Sequence, residues 1–126
     1  MIPKFRAWDK ELKMMCDVLK IDFKNKTLFY HHWAHGVSTE IDLNEVELMQ
    51  STGLKDNKGV DIYEGDIVRY NRGVSYSVEK FPYSVKYIEG AFVFEHGFIQ
   101  HNLFKNVKYV TVIGNIYENP ELLEDN

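Results

Sequence analysis

The 126-residue sequence predicts a mainly β protein with little helix. Aromatic residues make up 14% of the chain, and such side chains favour the pleated, half-buried surface of a sheet. Short stretches of alternating apolar and polar residues recur, and glycine, asparagine or aspartate turns separate most of them. No long segment has the apolar period of a helix. We therefore expect several short strands joined by tight turns.

The sequence pattern of residues 4–33 predicts strands joined into hairpins. Leu19, Ile21 and Phe23 alternate with polar residues, so we expect the three to share one face of a strand. An Asn-Lys pair at positions 25–26 lies where a hairpin turn is needed, and the next segment is expected to pair back antiparallel. The N-terminal part is therefore predicted to be a β-hairpin region.

Residues 34–48 have a less regular pattern. The spacing of Leu43, Val46 and Leu48 fits a short helix or a strand, and an Ala-His-Gly breaker precedes it. We expect a loop followed by a strand.

The run from Met49 to Val68 contains three glycines, each beside residues that form turns. Glycine adopts positive φ at low cost, and aspartate side chains accept hydrogen bonds from nearby backbone N–H groups. The spacing fits neither a phosphate-binding loop nor a calcium loop. Five residues are therefore predicted to fix the backbone at turns: Gly53, Asp56, Gly59, Gly65 and Asp66.

The C-terminal half predicts further strands, with a long loop at residues 71–83. Frequent glycine turns from position 53 onward fit a small, strongly bent barrel. The chain is interpreted as one domain, 1–126, divisible into a hairpin region at 1–48 that packs on a barrel at 49–120. Residues 121–126 are expected to form an acidic tail.

Charge and cysteine content restrict the class of function. The net charge is −4 and the pI about 5.7, which disfavours bulk electrostatic binding to nucleic acid. The lone cysteine, Cys16, cannot form an intrachain disulfide, which is typical of a reducing cytoplasm. No run approaches the roughly 20 apolar residues of a membrane helix, so no membrane association is expected.

Three segments together resemble the YopX family of phage and prophage proteins. They are Phe5–Asp9, Met49–Val68 and the Val-Ile-Gly-Asn-Ile-Tyr-Glu-Asn-Pro-Glu-Leu run at 112–122. The resemblance implies a mainly β protein with an SH3-like barrel, encoded by a temperate phage or an integrated element. It implies no particular biochemical activity, so no residue role is carried over from it.

Basic and aromatic residues alternate in residues 69–87, and this pattern predicts a binding surface. Basic residues track phosphates and aromatic rings stack on bases, so residues 69–87 could hold a single nucleic-acid strand. The aromatic rings could instead fill the barrel core, or the loop could contact a protein. The candidate binding residues are Arg69, Tyr70, Arg72, Tyr76, Lys80, Phe81 and Tyr83.

The His31-His32-Trp33-Ala34-His35 run is the best metal candidate. A bend at Ala34 could bring His32 and His35 together, and the three histidines would then support a metal-dependent hydrolase. Polar residues on a solvated strand and turn are the preferred interpretation, so neither a metal nor another cofactor is predicted.

We interpret the chain as a non-enzymatic accessory protein of phage or prophage origin. It is expected to act as a binding or assembly module in the cytoplasm of the bacterial host. An unidentified protein partner or self-association is favoured over nucleic acid. The nucleic-acid-contacting barrel at residues 69–87 and the histidine-based hydrolase are the two alternatives.

Overall fold

The structure, a computed structural model, describes residues 3–32, 38–72 and 81–124. These residues form eleven strands, which confirms the mainly β class. The strands are β1 Phe5–Asp9, β2 Met14–Asp22, β3 Thr27–His32, β4 Ser38–Asp42, β5 Val46–Lys55, β6 Asp61–Tyr63, β7 Asp66–Tyr70, β8 Tyr83–Ile88, β9 Ala91–His96, β10 Ile99–Asn102 and β11 Val110–Asn115.

Helix is scarce in the described part of the chain, as the sequence predicts. The one α-helix there, α1, spans Leu103–Asn106, and three 3₁₀ turns span Leu43–Glu45, Val107–Tyr109 and Pro120–Leu123. None of the described helices is long and apolar enough to cross a bilayer.

The chain divides into two compact units, residues 1–50 and 51–126. In the first unit the strands are antiparallel, in the order β4-β3-β2-β1-β5. Alternation along these strands sends small and apolar side chains to one face, where they form a core. That core contains Ala7, Cys16, Leu28, Tyr30 and Val46. Strand β5 continues past residue 50, and its last part pairs with β6 in the second unit.

The predicted alternation of β2 fails at Leu19. Val18 pairs with Tyr30, but the next pair joins Lys20 to Phe29, so Leu19 is an extra residue in a β-bulge. The bulge breaks the alternation, and Val18 packs against the core together with Ile21. Leu19 is 59% exposed.

In the second unit the five-stranded sheet has the order β10-β9-β8-β7-β11. One face carries a core of apolar and aromatic side chains. Its fully buried members include Ile62, Val68, Tyr83, Val85, Phe94, Leu103 and Val110. The sheet is open among the described residues, because β10 and β11 are its two edges. The structure thus confirms the mainly β class, but it does not confirm the small bent barrel predicted from position 53 onward, or the SH3-like barrel that the resemblance implies.

Candidate binding surface

The turn after β5 is built around the buried carboxylate of Asp56. Its Oδ1 accepts hydrogen bonds from the backbone N–H groups of Lys58 (2.8 Å) and Val60 (2.9 Å). Its Oδ2 accepts one from the N–H of Val112 (2.8 Å) in β11. Gly59 has a φ of +83°, in the left-handed region that favours glycine. The carboxylate therefore closes the turn and attaches it to β11.

The same contacts set the ionisation of Asp56. Burial alone raises the pKa of this carboxyl, but hydrogen bonds from the N–H groups of Val112, Val60 and Lys58 outweigh burial and lower the pKa below 3.8. Asp56 is therefore ionised near neutral pH, with both oxygens bound by the backbone.

The turn between β6 and β7 is centred on Gly65 and Asp66. Gly65 has a φ of +83°. Its N–H donates to the carbonyl of Val85 (2.9 Å), and its carbonyl accepts a hydrogen bond from the N–H of Ile116 (2.8 Å). Asp66 is 2% exposed, and its Oδ2 accepts the N–H of Tyr63 (2.8 Å). Both residues hold backbone in place, and the Asp66 carboxylate lies in the interior.

Gly53 lies inside β5 and not in a turn between two strands. Its φ is +77°, and its N–H donates to the Oγ of Ser51 (3.1 Å). The pairing of β5 with β6 shifts register between Ser51 and Lys55. Gly53 therefore occupies an irregularity within the strand, where positive φ lets the chain bend.

Asn115 organises the turn that follows β11. Its Oδ1 accepts the N–H groups of Tyr117 (3.0 Å) and Glu118 (2.8 Å), and its own N–H donates to Oδ1 of Asn119 (3.1 Å). A Cβ atom added to Gly114 would lie 2.5 Å from that same Oδ1. Glycine at 114 thus leaves the space that the Asn119 side chain needs.

Replacing Gly114 with alanine is expected to lower the free energy of unfolding by about 1–3 kcal/mol, because the new methyl group displaces the hydrogen-bonded Asn119. Urea unfolding measures this loss. In an Asn119→Ala background the two nearest atoms, Oδ1 and Cγ of Asn119, are gone and only Cβ at 3.0 Å remains, so the Gly114→Ala change should cost less there. An equal cost in both backgrounds would contradict the proposed collision.

The segment at the start of the chain follows the same pattern. Asp9 is 2% exposed, and its Oδ1 accepts the N–H groups of Glu11 (3.0 Å) and Leu12 (2.9 Å). Each segment that resembles the YopX family thus contains a buried acid or amide that binds backbone N–H groups. The buried polar side chains of these segments therefore organise the fold.

The described candidate residues of segment 69–87 differ in their exposure. Arg69 is exposed and lies between Val68 and Tyr70 in β7, both of which are buried in the core. Tyr83 is fully buried as well. Adjacent residues of a strand face opposite sides of a sheet, so Arg69 is separated from the two tyrosine rings. These rings are unavailable for stacking on bases.

The other candidates of this set have different surroundings. The guanidinium carbon of Arg72 lies 5.5 Å from the centre of the Tyr109 ring. Phe81 is half-buried and stacks on the ring of His96, with centroids 4.3 Å apart. Tyr76 and Lys80 lie outside the described residues.

The histidine run is only partly described. His31 and His32 are the last two residues of β3, and His35 lies outside the described residues. Within 3–32, 38–72 and 81–124, no group of three or more His, Cys, Asp or Glu side chains is placed to hold a metal ion. The structure therefore supplies no geometric support for the hydrolase alternative.

Two other histidines, His96 and His101, belong to an aromatic cluster in the second unit. The His101 ring lies 4.7 Å from that of Tyr70 and 5.1 Å from that of Phe94. The Nδ1 atom of His96 lies 2.9 Å from the carbonyl oxygen of Pro82. Aromatic packing of this kind stabilises the core and fixes the end of the sheet that carries β10.

The two edges of the five-stranded sheet differ in how they are covered. At β11, Asn57 donates its N–H to the carbonyl of Val110 (3.0 Å), next to the Asp56–Val112 contact. The chain itself therefore covers this edge, and no residue of β11 is exposed. At β10 no further strand pairs in the described part of the chain, and three of its four residues are exposed.

Edge strands are commonly protected from other strands by charged side chains. The edge strand of the first unit, β4, carries Glu40 and Asp42. Strand β10 has the sequence Ile-Gln-His-Asn and carries neither a lysine, an arginine nor an acid. It is therefore open to pairing and lacks charge protection.

Exposed apolar side chains flank β10 on both ends. Phe98, in the hairpin turn before β10, has a relative exposure of 108%. Ile99 at the start of β10 is 41% exposed, and Phe104 in α1 is 75% exposed. We call this edge with its three apolar side chains, residues 98–104, the β10 surface. Exposed aromatic side chains next to an open edge are typical of a protein-binding surface.

Comparison with known proteins places the chain among relatives of similar length. The YopX protein family matches residues 4–124. The crystal structure of protein EF1440 from Enterococcus faecalis is 37% identical, with a TM-score of 0.65 over 98% of this chain and 99% of that one. Protein yopX from Bacillus subtilis is 22% identical, with a TM-score of 0.63 over 98% and 97% of the two chains. No curated protein matches. The chain therefore belongs to the YopX family.

Proposed function

We propose that this YopX-family chain is a non-enzymatic accessory protein of a phage or prophage, and that it acts in the bacterial cytoplasm as a binding or assembly module. Its working part is the β10 surface, to which a strand of a protein partner adds. The partner contributes main-chain hydrogen bonds along the edge and a pocket for Phe98.

One observation carries this proposal. Of the two edges of the five-stranded sheet, β10 alone is exposed and without cover in the described residues, and the fully exposed Phe98 lies beside it. An exposed edge strand that also carries apolar residues is a template for another strand. An aromatic side chain in this position is suited to be an interface anchor.

The geometry of the β9–β10 hairpin makes the backbone N–H of Gln100 accessible. His96 pairs with Ile99 across a two-residue turn, so this pair closes the hairpin. Hydrogen-bonded and non-hydrogen-bonded pairs alternate in an antiparallel ladder, so the N–H of Gln100 faces away from β9. It is available to a partner strand.

The buried acids support a non-enzymatic role. Asp9, Asp56 and Asp66 accept hydrogen bonds from backbone N–H groups, which gives each of them a structural task. Burial, aided by the charges of Asp9 and Asp17, raises the pKa of Cys16 to about 11. A thiol with so high a pKa is a poor nucleophile, and a reduced, buried cysteine is compatible with the cytoplasm.

Nucleic acid is the less favoured partner. The rings of Tyr70 and Tyr83 are buried, and Arg69 lies on the opposite side of the sheet from them. The stacking of bases beside phosphate-binding cations needs both groups on one surface.

The test compares variants of the β10 surface in affinity purification from lysogenic host cells, with nuclease added and quantitative mass spectrometry as readout. Gln100→Pro removes the outward N–H but leaves the hairpin bonds, and Phe98→Asp removes the apolar anchor. A specific protein retained by the wild type should be lost from both variants.

Leu12→Asp is the matched control, because Leu12 is 53% exposed and lies in a turn of the first unit. It should retain the same protein as the wild type. If every captured protein stays bound to Gln100→Pro and Phe98→Asp, or is released by nuclease from all variants, the proposal is overturned.

A further inference from the structure

The features of the β10 surface are arranged symmetrically about His101. The N–H of Gln100 faces away from β9, and by the same alternation the N–H of Asn102 does so too. The exposed rings of Phe98 and Phe104 lie three residues before and three residues after His101. A two-fold axis at His101 therefore exchanges the two outward N–H groups with each other, and likewise the two rings.

This symmetry selects a second copy of the chain as the partner. In a two-fold interface the same surface of both subunits meets itself, and edge strands related in this way run antiparallel. We propose that β10 of one molecule pairs with β10 of a second copy, with the two His101 residues opposite each other and Phe98 of each copy beside Phe104 of the other. This inference rests on the proposed function, because it identifies the strand that adds to the β10 surface.

The backbone of β10 is suited to this register. His101 and Phe94 of β9 form a hydrogen-bonded pair, so the two His101 residues form a non-hydrogen-bonded pair across the axis. On either side of them, Gln100 of one copy exchanges hydrogen bonds with Asn102 of the other. The carbonyl of Asn102 accepts a hydrogen bond from Nδ2 of Asn106 (2.8 Å), and its second lone pair can accept the N–H of Gln100. The ladder stops there, because α1 begins directly after Asn102.

The charges around β10 permit the pairing. Like charges opposite each other on neighbouring strands repel, but β10 carries neither a lysine, an arginine nor an acid. Glu95, which lies beside it in β9, binds Nζ of Lys86 through Oε1 (2.6 Å) and Nε2 of Gln100 through Oε2 (3.3 Å). By contrast, a two-fold pairing at β4 would bring together the acids Glu40 and Asp42 of both copies. Self-association is therefore favoured at β10 and disfavoured at β4.

The aromatic rings set the expected strength of the dimer. Phe98 and Phe104 are fully and largely exposed, so the pairing removes two rings of each copy from water. Four rings that bury about 150 Å² each contribute about 600 Å². This is about half of the roughly 1,200 Å² at which stable interfaces begin, so we expect a weak dimer with a dissociation constant in the micromolar range.

The test is analytical ultracentrifugation of the purified full-length protein over a series of concentrations. The wild type should show a monomer–dimer equilibrium. Gln100→Pro, Phe98→Asp and Phe104→Lys should each raise the dissociation constant of the dimer about tenfold or more. The double variant Phe98→Asp/Phe104→Lys should recover about tenfold in affinity, because each new aspartate then lies beside a new lysine of the other copy. This recovery is specific to a two-fold register in which positions 98 and 104 meet.

Leu12→Asp is the control and should dimerise as the wild type does, because Leu12 is an exposed residue of the first unit. A wild type that stays monomeric at about 1 mM overturns the inference. So does a double variant no tighter than its two parents, or a dimer that Gln100→Pro leaves unchanged. Each of these results leaves the proposed function standing if a different protein, captured from lysogenic cells, is lost from Gln100→Pro and Phe98→Asp. If the inference is right, the protein captured there is the untagged copy of this chain.

Discussion

Replacing Asp56 with alanine is expected to lower the free energy of unfolding by about 2–4 kcal/mol. Three backbone N–H groups lose a charged acceptor. Lys58 and Val60 are exposed, so water can replace the carboxylate as the acceptor for their N–H groups. Val112 is half-buried and lies in a sheet edge that the turn covers, so water reaches its N–H less easily. The loss at Val112 should therefore dominate, together with detachment of the turn from β11. Urea unfolding of both proteins measures the difference.

Asp61→Ala is the control for Asp56→Ala. The Asp61 carboxylate makes an ion pair with Lys55 (3.1 Å) in which both side chains are largely exposed. Exposed pairs contribute about 0–1 kcal/mol, so the Asp61 variant should remain close to the wild type. If both variants lose the same unfolding free energy, the buried hydrogen bonds of Asp56 stabilise the fold no more than the exposed ion pair of Asp61 does.

The same carboxylate makes stability depend on pH. Its pKa in the folded protein is depressed, so its contribution is present above the unfolded pKa of about 3.9 and is lost as pH falls through the folded pKa. We expect the unfolding free energy of the wild type to fall more steeply below about pH 4 than that of Asp56→Asn. Parallel curves for the two proteins in this acidic range would contradict the depressed pKa.

The sequence predicts strands and turns well where one strand face is buried. The alternation from Tyr83 to Tyr87 predicts a strand, and β8 spans Tyr83–Ile88. The helix-poor composition is reflected in a single four-residue α-helix among the described residues. These features depend on local periodicity and turn chemistry, which are visible in the chain itself.

The bulge at Leu19 and the open sheet were not predictable in this way. A bulge depends on how β2 and β3 are aligned, and alignment between strands is invisible in one strand's own pattern. Closure of a barrel likewise depends on whether the first and last strands meet. Frequent glycine turns fit a closed barrel and an open, bent sheet equally well.

The candidate binding set includes neighbours on one strand that cannot share a surface, and the sequence itself carries the reason. Arg69 and Tyr70 are consecutive residues of a strand, so they must face opposite sides of the sheet. A cluster of basic and aromatic residues counted along the chain is therefore not a cluster in space. The β10 surface had no such signal, because nothing in the His-Gly-Phe-Ile run shows that Phe98 would be exposed rather than buried.

Replacing Phe94 with alanine is expected to cost about 3–5 kcal/mol of unfolding free energy, the range for a fully buried phenylalanine. Phe94 is 0% exposed, and its ring lies 5.1 Å from that of Tyr70 and 5.2 Å from that of Tyr83. Its removal leaves a cavity in the centre of the aromatic cluster and deletes several edge contacts at once. Urea unfolding followed by far-UV circular dichroism measures the loss.

Phe98→Ala is the matched control, four residues further along the same hairpin. The fully exposed ring of Phe98 makes no contribution to the core, so the change should alter stability by no more than about 0.5 kcal/mol. If Phe98→Ala were as costly as Phe94→Ala, Phe98 would be a core residue and could not anchor a partner at the β10 surface. If Phe98→Ala instead folds normally but no longer binds the partner, stability and binding depend on different residues of one hairpin. Phe94 would then stabilise the core, and Phe98 would bind the partner at the surface.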